Sequence, residues 1–171
     1  MTTSQSRAAS AYASVNIESQ ASASGGVELV VLLIEGILDR IKLARLAMVQ
    51  RDVAQKVKHL NKALEILTEG LRAHLDMKGG GEIARNLDDV YAYCSVRLLH
   101  ANSRGDVAAL DEITNLLTPL LGAWVSIRTG SNGGAVVQSL VDVTRSLRGT
   151  VPGVQRLYGS NAYASHAVMG A

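Results

Sequence analysis

Four histidines and one cysteine, His59, His74, His100, His166 and Cys94, are the side chains best placed by type to hold a metal or act as base or nucleophile. A carboxylate-bridged metal pair in a helical protein needs Glu-x-x-His on two helices, which brings carboxylate and imidazole to the same side. The residues three before the histidines are Lys56, Leu71, Arg97 and Tyr163, so the pattern is absent. A single cysteine can form neither an intrachain disulfide nor the usual multi-ligand zinc site. Cys94 lies four residues from both Val90 and Leu98, on the apolar side of a helix, and reads as a small core side chain rather than a nucleophile. Gly79-Gly80-Gly81 precedes a helix, as a phosphate-binding loop would, but lacks the spacing and the Lys-Ser/Thr ending of a P-loop. A chain reversal with at least one of Gly80 and Gly81 at positive φ is the better reading. No G-x-S-x-G sequence is present. The expectation is a protein with no catalytic residues, no metal and no cofactor.

The elements that position these residues are helical. With 47% hydrophobic residues the chain of 171 can bury a core, and because aromatics make up 4% with no Phe, that core must be aliphatic. Lys and Arg number 17 against 15 Asp and Glu, and from Gly25 to Thr129 the two signs balance at thirteen each, leaving no basic face for nucleic acid. No stretch free of charged residues exceeds fifteen, too short to span a bilayer, so membrane insertion is not expected. The start, MTTSQSRAAS, lacks a secretory signal pattern. A cytoplasmic location follows as the expectation.

Residues 1–24 are rich in Ser and Ala with no amphipathic period, and read as a flexible arm. A bundle domain is expected over 25–129. Leu29, Leu33, Ile37, Ile41, Ala44 and Met48 recur at steps of four or three and predict a first helix ending near Gln50. Asp52 stands where an N-cap belongs, and Val53, Val57, Leu60, Leu64, Leu67, Leu71 and Leu75 follow as the stripe of a second helix. After the glycine run, Ile83, Leu87, Val90, Cys94, Leu98 and Ala101 mark a third. Gly105-Asp106 reads as a C′ glycine passing straight to an N-cap. The fourth helix carries Val107, Leu110, Ile113, Leu117, Leu120 and Trp124, with Pro119 expected to kink it or end it early. Short connections make neighbours antiparallel, so the fold class is all-α, an up-down four-helix bundle. Residues 130–171 form a Gly-rich linker, a short helix over about Ala135–Leu147 with Val136, Leu140, Val143 and Leu147 on one side, and a disordered tail. Ala162-Tyr163-Ala164-Ser165 repeats Ala11-Tyr12-Ala13-Ser14.

The stretch from Leu75 to Asp106 resembles the flagellin-specific export chaperone family FliS. Its motif is carried by Leu75, Asp76, Gly80, Gly81, Glu82, Ile83, Ala84, Asn86, Leu87, Tyr91, Tyr93, Arg97, Leu98, Ala101 and Asn102. Ala11-Tyr12 with Val15 resembles the family's N-terminal arm, Leu32–Leu38 its first long helix, and LDEITNLL with Ala123-Trp124 its last bundle helix. Two departures stand out: Gly25-Gly26 replaces a Ser-Pro helix entry, and Ile34 stands where the family has Tyr.

The resemblance implies a cytoplasmic bundle that binds the C-terminal segment of flagellin, prevents its premature polymerisation and presents it to the flagellar export gate. A disordered client would lay amphipathic helices into apolar grooves of the bundle. Tyr12, Val15, Leu29, Ile34, Tyr91 and Tyr93 are the expected groove residues, on the premise that the bundle leaves such side chains incompletely buried. Tyr91 and Tyr93 point to different sides of their helix, so at most one faces squarely inward. The arm is expected to cover the groove in the free chain, and the tail either docks on the bundle and competes with flagellin or is a solvated extension. The alternative function is a structural or regulatory bundle that self-associates through an apolar face, and a homodimer stays open beside a monomer.

Overall fold

The computed structural model describes residues 23–131 together with residues 135, 138, 139, 141–143, 145 and 146. Four long helices dominate: α1 (Ala23–Val49), α2 (Val53–Glu65), α3 (Gly81–Arg104) and α4 (Val107–Arg128), with α2 prolonged by a π-helical stretch, Ile66–Arg72. Each packs against its chain neighbour, and α1 closes the ring against α4. The side-chain contacts give the directions. Arg45 near the end of α1 pairs with Asp111 near the start of α4, while Glu28 at the start of α1 meets Arg128 at the end of α4, 3.3 Å away. Lys56 reaches the Asn102 carbonyl at 2.8 Å, and Arg72 holds Asp88 at 2.6 Å, so α2 and α3 also run in opposite senses. The architecture is an up-down four-helix bundle.

Local chemistry sets the corners. The Asp52 carboxylate accepts from the Gln55 amide at 3.0 Å, capping α2. Just before it, Arg51 takes the left-handed conformation, φ 58°, and the Asp52 amide donates back to Ala47, closing the end of α1. Gly105, φ 65°, ends α3, and Asp106 caps α4 by accepting from Ala109 at 3.2 Å, so two residues suffice for the turn. In the longer α2–α3 corner the Asp76 carboxylate accepts from the amides of Lys78 and Gly79, and Gly81 supplies the positive φ, 57°, at the start of α3. Gly80 is at φ −77°, so one glycine of the pair carries the reversal.

The π-helical stretch answers a feature of the sequence. Leu67, Leu71 and Leu75 are spaced by four and four, which drifts off a 3.6-residue stripe; the wider i→i+5 turn, seen in the Ala73 amide donating to Thr68 at 2.9 Å, brings all three back to the core. At the same place Gly70 lets α1 come close, since a Cβ there would lie 3.2 Å from Leu33.

One expectation is corrected, and of the two outcomes expected for Pro119 the early end is excluded. In α1 the buried line is Val27, Val30, Val31, Ile34, Ile37, Ile41, Ala44 and Ala47; Leu33 and Met48 are only partly buried and Leu29 is exposed. Counting back from Ile41 by fours overshoots by about 40° a step at 100° per residue, about 120° by Leu29. Because VELVVLLIEGIL is apolar at consecutive positions, nothing in it exposed the drift. In α4, Pro119 does not end the helix, which runs on to Arg128. Asn115, whose carbonyl loses its usual donor there, and Pro119 itself both lie on the exposed side, while Leu116, Leu117 and Leu120 stay in the core.

Candidate functional site

The groups suited to chemistry are occupied within the bundle. Cys94 is fully buried, and burial first, then the Glu112 carboxylate, pushes its thiol well above the ordinary range, so it keeps its proton. His59 lies 3.4 Å from the Arg40 guanidinium, His74 contacts the Gly70 carbonyl at 3.1 Å, and His100 sits 3.2 Å from Asp106. His166 lies outside the described residues. Among the described residues no three His, Cys, Asp or Glu converge as a metal site would require, and no helix is long and apolar enough to cross a membrane.

Between α3 and α4 a polar clamp forms instead. The Tyr93 hydroxyl donates to one oxygen of Glu112, Arg97 Nε donates to the other at 2.7 Å, and Arg97 also lies 3.7 Å from Asp106. Burial first, then the hydrogen bond to Glu112, pushes the Tyr93 phenol up to about 12. The clamp holds two helices together and presents no reactive atom.

What the bundle does present is apolar surface. Leu29, Leu32, Leu43 and Leu46 on α1 are exposed, Leu32 to 55%. With Gly36 they follow one line at steps of three, four, seven and three, the spacing of a single helix face. Gly36 has no side chain to stand between this line and α2, and a Cβ there would lie 3.6 Å from Ile66. The line thus runs beside the α1–α2 seam, low at Gly36 and raised at the leucines on both sides. Val96 and Leu99 form a second exposed apolar pair on α3. Singly exposed leucines need no explanation, but a series along one face marks a surface built to be covered.

The expected site residues divide. Leu29 is exposed and belongs to the α1 line; Tyr93 is partly buried, with its hydroxyl committed to Glu112. Ile34 and Tyr91 are both 0% exposed, so the premise of incomplete burial does not hold for them in this state. Tyr91 fills the core beside Cys94, which is why its neighbour two residues on looks outward. Tyr12 and Val15 lie outside the described residues. Leu32, Leu43, Leu46, Val96 and Leu99 were not singled out by sequence reasoning; their signal is a second apolar series at helical spacing, offset from the buried one.

Residues 8–131 match the family described as flagellar protein FliS. This chain belongs to the FliS family. It is 41% identical over 117 residues to the flagellar secretion chaperone FliS of Salmonella typhimurium, covering 68% of this chain and 87% of that relative. The flagellar secretion chaperone FliSB of Pseudomonas aeruginosa is 40% identical over 116 residues, 68% of this chain and 91% of the relative. FliS of Bacillus subtilis is 30% identical over 97 residues, 57% and 71% respectively. FliS proteins are flagellar secretion chaperones, a non-enzymatic role, and an aliphatic bundle with exposed apolar lines suits binding rather than catalysis. The FliS match takes in all four helices and stops at Ser131, three residues past the end of α4.

Proposed function

We propose that this chain holds the C-terminal segment of flagellin in the cytoplasm, keeps it from polymerising, and presents it to the flagellar export gate. The observation that supports this most is the exposed leucine line Leu29, Leu32, Leu43 and Leu46 beside the Gly36–Ile66 seam. A client helix laid along it would bury the same kind of apolar face that drives subunits of a filament together. Ordering a disordered client costs about 2–5 kcal/mol, so an extended line suits the task better than a single pocket. Val96 and Leu99 on α3 offer a second contact for a client long enough to wrap the bundle. The residues before α1, with Tyr12 and Val15, act in this reading as a displaceable cover over the line, which keeps an adhesive surface out of water until the client arrives.

The test is a calorimetric titration of the full chain with a peptide of the flagellin C-terminus, repeated with a Leu32→Asp/Leu43→Asp double variant. Both positions are exposed, so helical content should stay unchanged while affinity falls by about tenfold or more, which is 1.4 kcal/mol. Unaltered affinity in the double variant would overturn the assignment of this line. Removal of residues 1–18 should tighten client binding or promote aggregation of the free chain.

A further inference from the structure

Beyond α4, residues 135, 138, 139, 141–143, 145 and 146 are helical, and Arg145 reaches Glu82 in the first turn of α3 at 3.5 Å. Of the stripe expected from spacing, Val143 is in contact; the side chains of Val136, Leu140 and Leu147 lie outside the described residues. At the opposite end of the bundle, where α3 finishes, lies a cavity of about 280 Å³. Its walls are Ala47 and Met48 from the last turn of α1, Arg51 of the turn, Val53 and Lys56 from the first turn of α2, and Gly105 at the end of α3. The cavity thus takes walls from both α1 and α2, at the foot of the seam that the leucine line follows. Leu46, the last leucine of that line, directly precedes Ala47 in the wall.

Size, floor and charge narrow what fits. The volume falls just below the roughly 300–1,000 Å³ of a small-molecule site, so one residue of a bound chain fills it better than a cofactor would. Ala47, Met48 and Val53 give it an apolar lining, with Val53 exposed at the rim. From Arg40 to Leu64 the chain carries seven Lys and Arg against the single acid Asp52. Lys56 donates to the neutral Asn102 carbonyl at 2.8 Å, and neither Lys56 nor Arg51 meets a carboxylate among the described residues. Asp52 also borders the cavity, and its carboxylate accepts from the Gln55 amide at 3.0 Å as the cap of α2. Two cations without an anion, over an apolar lining with room for one residue, form a seat for a chain end that carries a carboxylate.

We propose that this cavity receives the last residue of the flagellin client, its α-carboxylate held between Arg51 and Lys56. The proposal rests on the reading that the C-terminal segment of flagellin is the client. Such a segment ends in a free α-carboxylate, a group that no internal segment of a chain carries, and a seat for it sets both the register and the direction of the client. The client then runs along the leucine line in the direction of α1, from Leu29 to Leu46, and finishes at the turn. An exposed charge pair adds little affinity, so the seat decides position more than strength.

The experiment titrates the full chain, and its Lys56→Met and Arg51→Gln variants, with two forms of one flagellin C-terminal peptide, ending in the free acid or in an amide. The full chain should prefer the acid by about fivefold, the upper end for an exposed charge pair. Each variant should bind the two forms with affinities closer together, near that of the full chain for the amide. Arg51→Gln leaves the contact of Lys56 with Asn102 in place, so it decides the matter if Lys56→Met folds poorly. Equal binding of acid and amide by the full chain overturns the seat while leaving flagellin as client. A preference for the acid that survives undiminished in the folded variants places the carboxylate elsewhere and overturns the seat as well. Failure of the full chain to bind either form overturns the reading of flagellin as client, and the seat with it.

Discussion

The phenol of Tyr93 on α3 and the carboxylate of Glu112 on α4 share a hydrogen bond, and Arg97 occupies the other carboxylate oxygen. The neutral phenol is the donor, so the folded chain favours it: its pKa stands at about 12 against 10.0 for an unperturbed tyrosine. A raised folded pKa gives a stability contribution that is complete below pH 10 and lost as pH climbs towards 12. Urea unfolding at pH 8 and above pH 10 should show this loss in the parent chain. Tyr93→Phe should lower stability by about 1 kcal/mol at neutral pH and make the fall at high pH shallower, the buried Cys94 thiol contributing the part that remains.

Arg51 is the one non-glycine residue at positive φ among the described residues, 58°, at the turn from α1 to α2. A side chain in that conformation costs about 1–2 kcal/mol. Arg51 is exposed, so Arg51→Gly should raise the unfolding free energy by about 1 kcal/mol after the entropy cost of glycine. Thermal unfolding of Arg51→Gly beside Arg51→Ala separates the backbone effect from loss of the charge.

Gly80 and Gly81 stand side by side in the family motif with different burdens. Gly81 is at φ 57° with open space around its Cα, and Gly80 is in the right-handed helical region. Gly81→Ala should therefore lower stability by about 1 kcal/mol, and Gly80→Ala should change it far less. Chemical denaturation of the two single variants checks this, and client affinity of both should match the parent at temperatures where they are folded.

These corners were legible because their signals are local. Asp52, Gly105 and Asp106 do what their side chains, or the lack of one, dictate within four residues, and no distant contact is needed to read them. The face of α1 was not legible in the same way. In VELVVLLIEGIL either of two apolar lines could turn inward, and the choice is made by partners far along the chain: Gly70 admitting Leu33, Ile66 against Gly36, Arg40 beside His59. The candidate site inherits that ambiguity, because the line left outside is the proposed binding surface and the line turned inside is core. Ile34 was assigned to the first and belongs to the second. Pro119 shows the same dependence, since its effect on α4 turned on which side of the helix it would occupy.

Ile34 and Leu32 are two residues apart on α1 and should respond oppositely to the same substitution. Ile34 is fully buried, so Ile34→Asp places a carboxylate without a partner in an aliphatic core, and even Ile34→Ala should cost about 2–5 kcal/mol. Circular dichroism of Ile34→Asp should show lost helix or a much lower melting temperature, and its client binding should fall as a consequence of unfolding. Leu32 is 55% exposed, so Leu32→Asp should leave the melting temperature within the range of a surface change, about 0.5 kcal/mol. Its loss of client affinity should then appear in a fully folded protein. A folded Ile34→Asp variant with parental stability would contradict the packing of α1, and a folded Leu32→Asp variant with parental affinity would remove Leu32 from the binding surface while leaving the packing untouched.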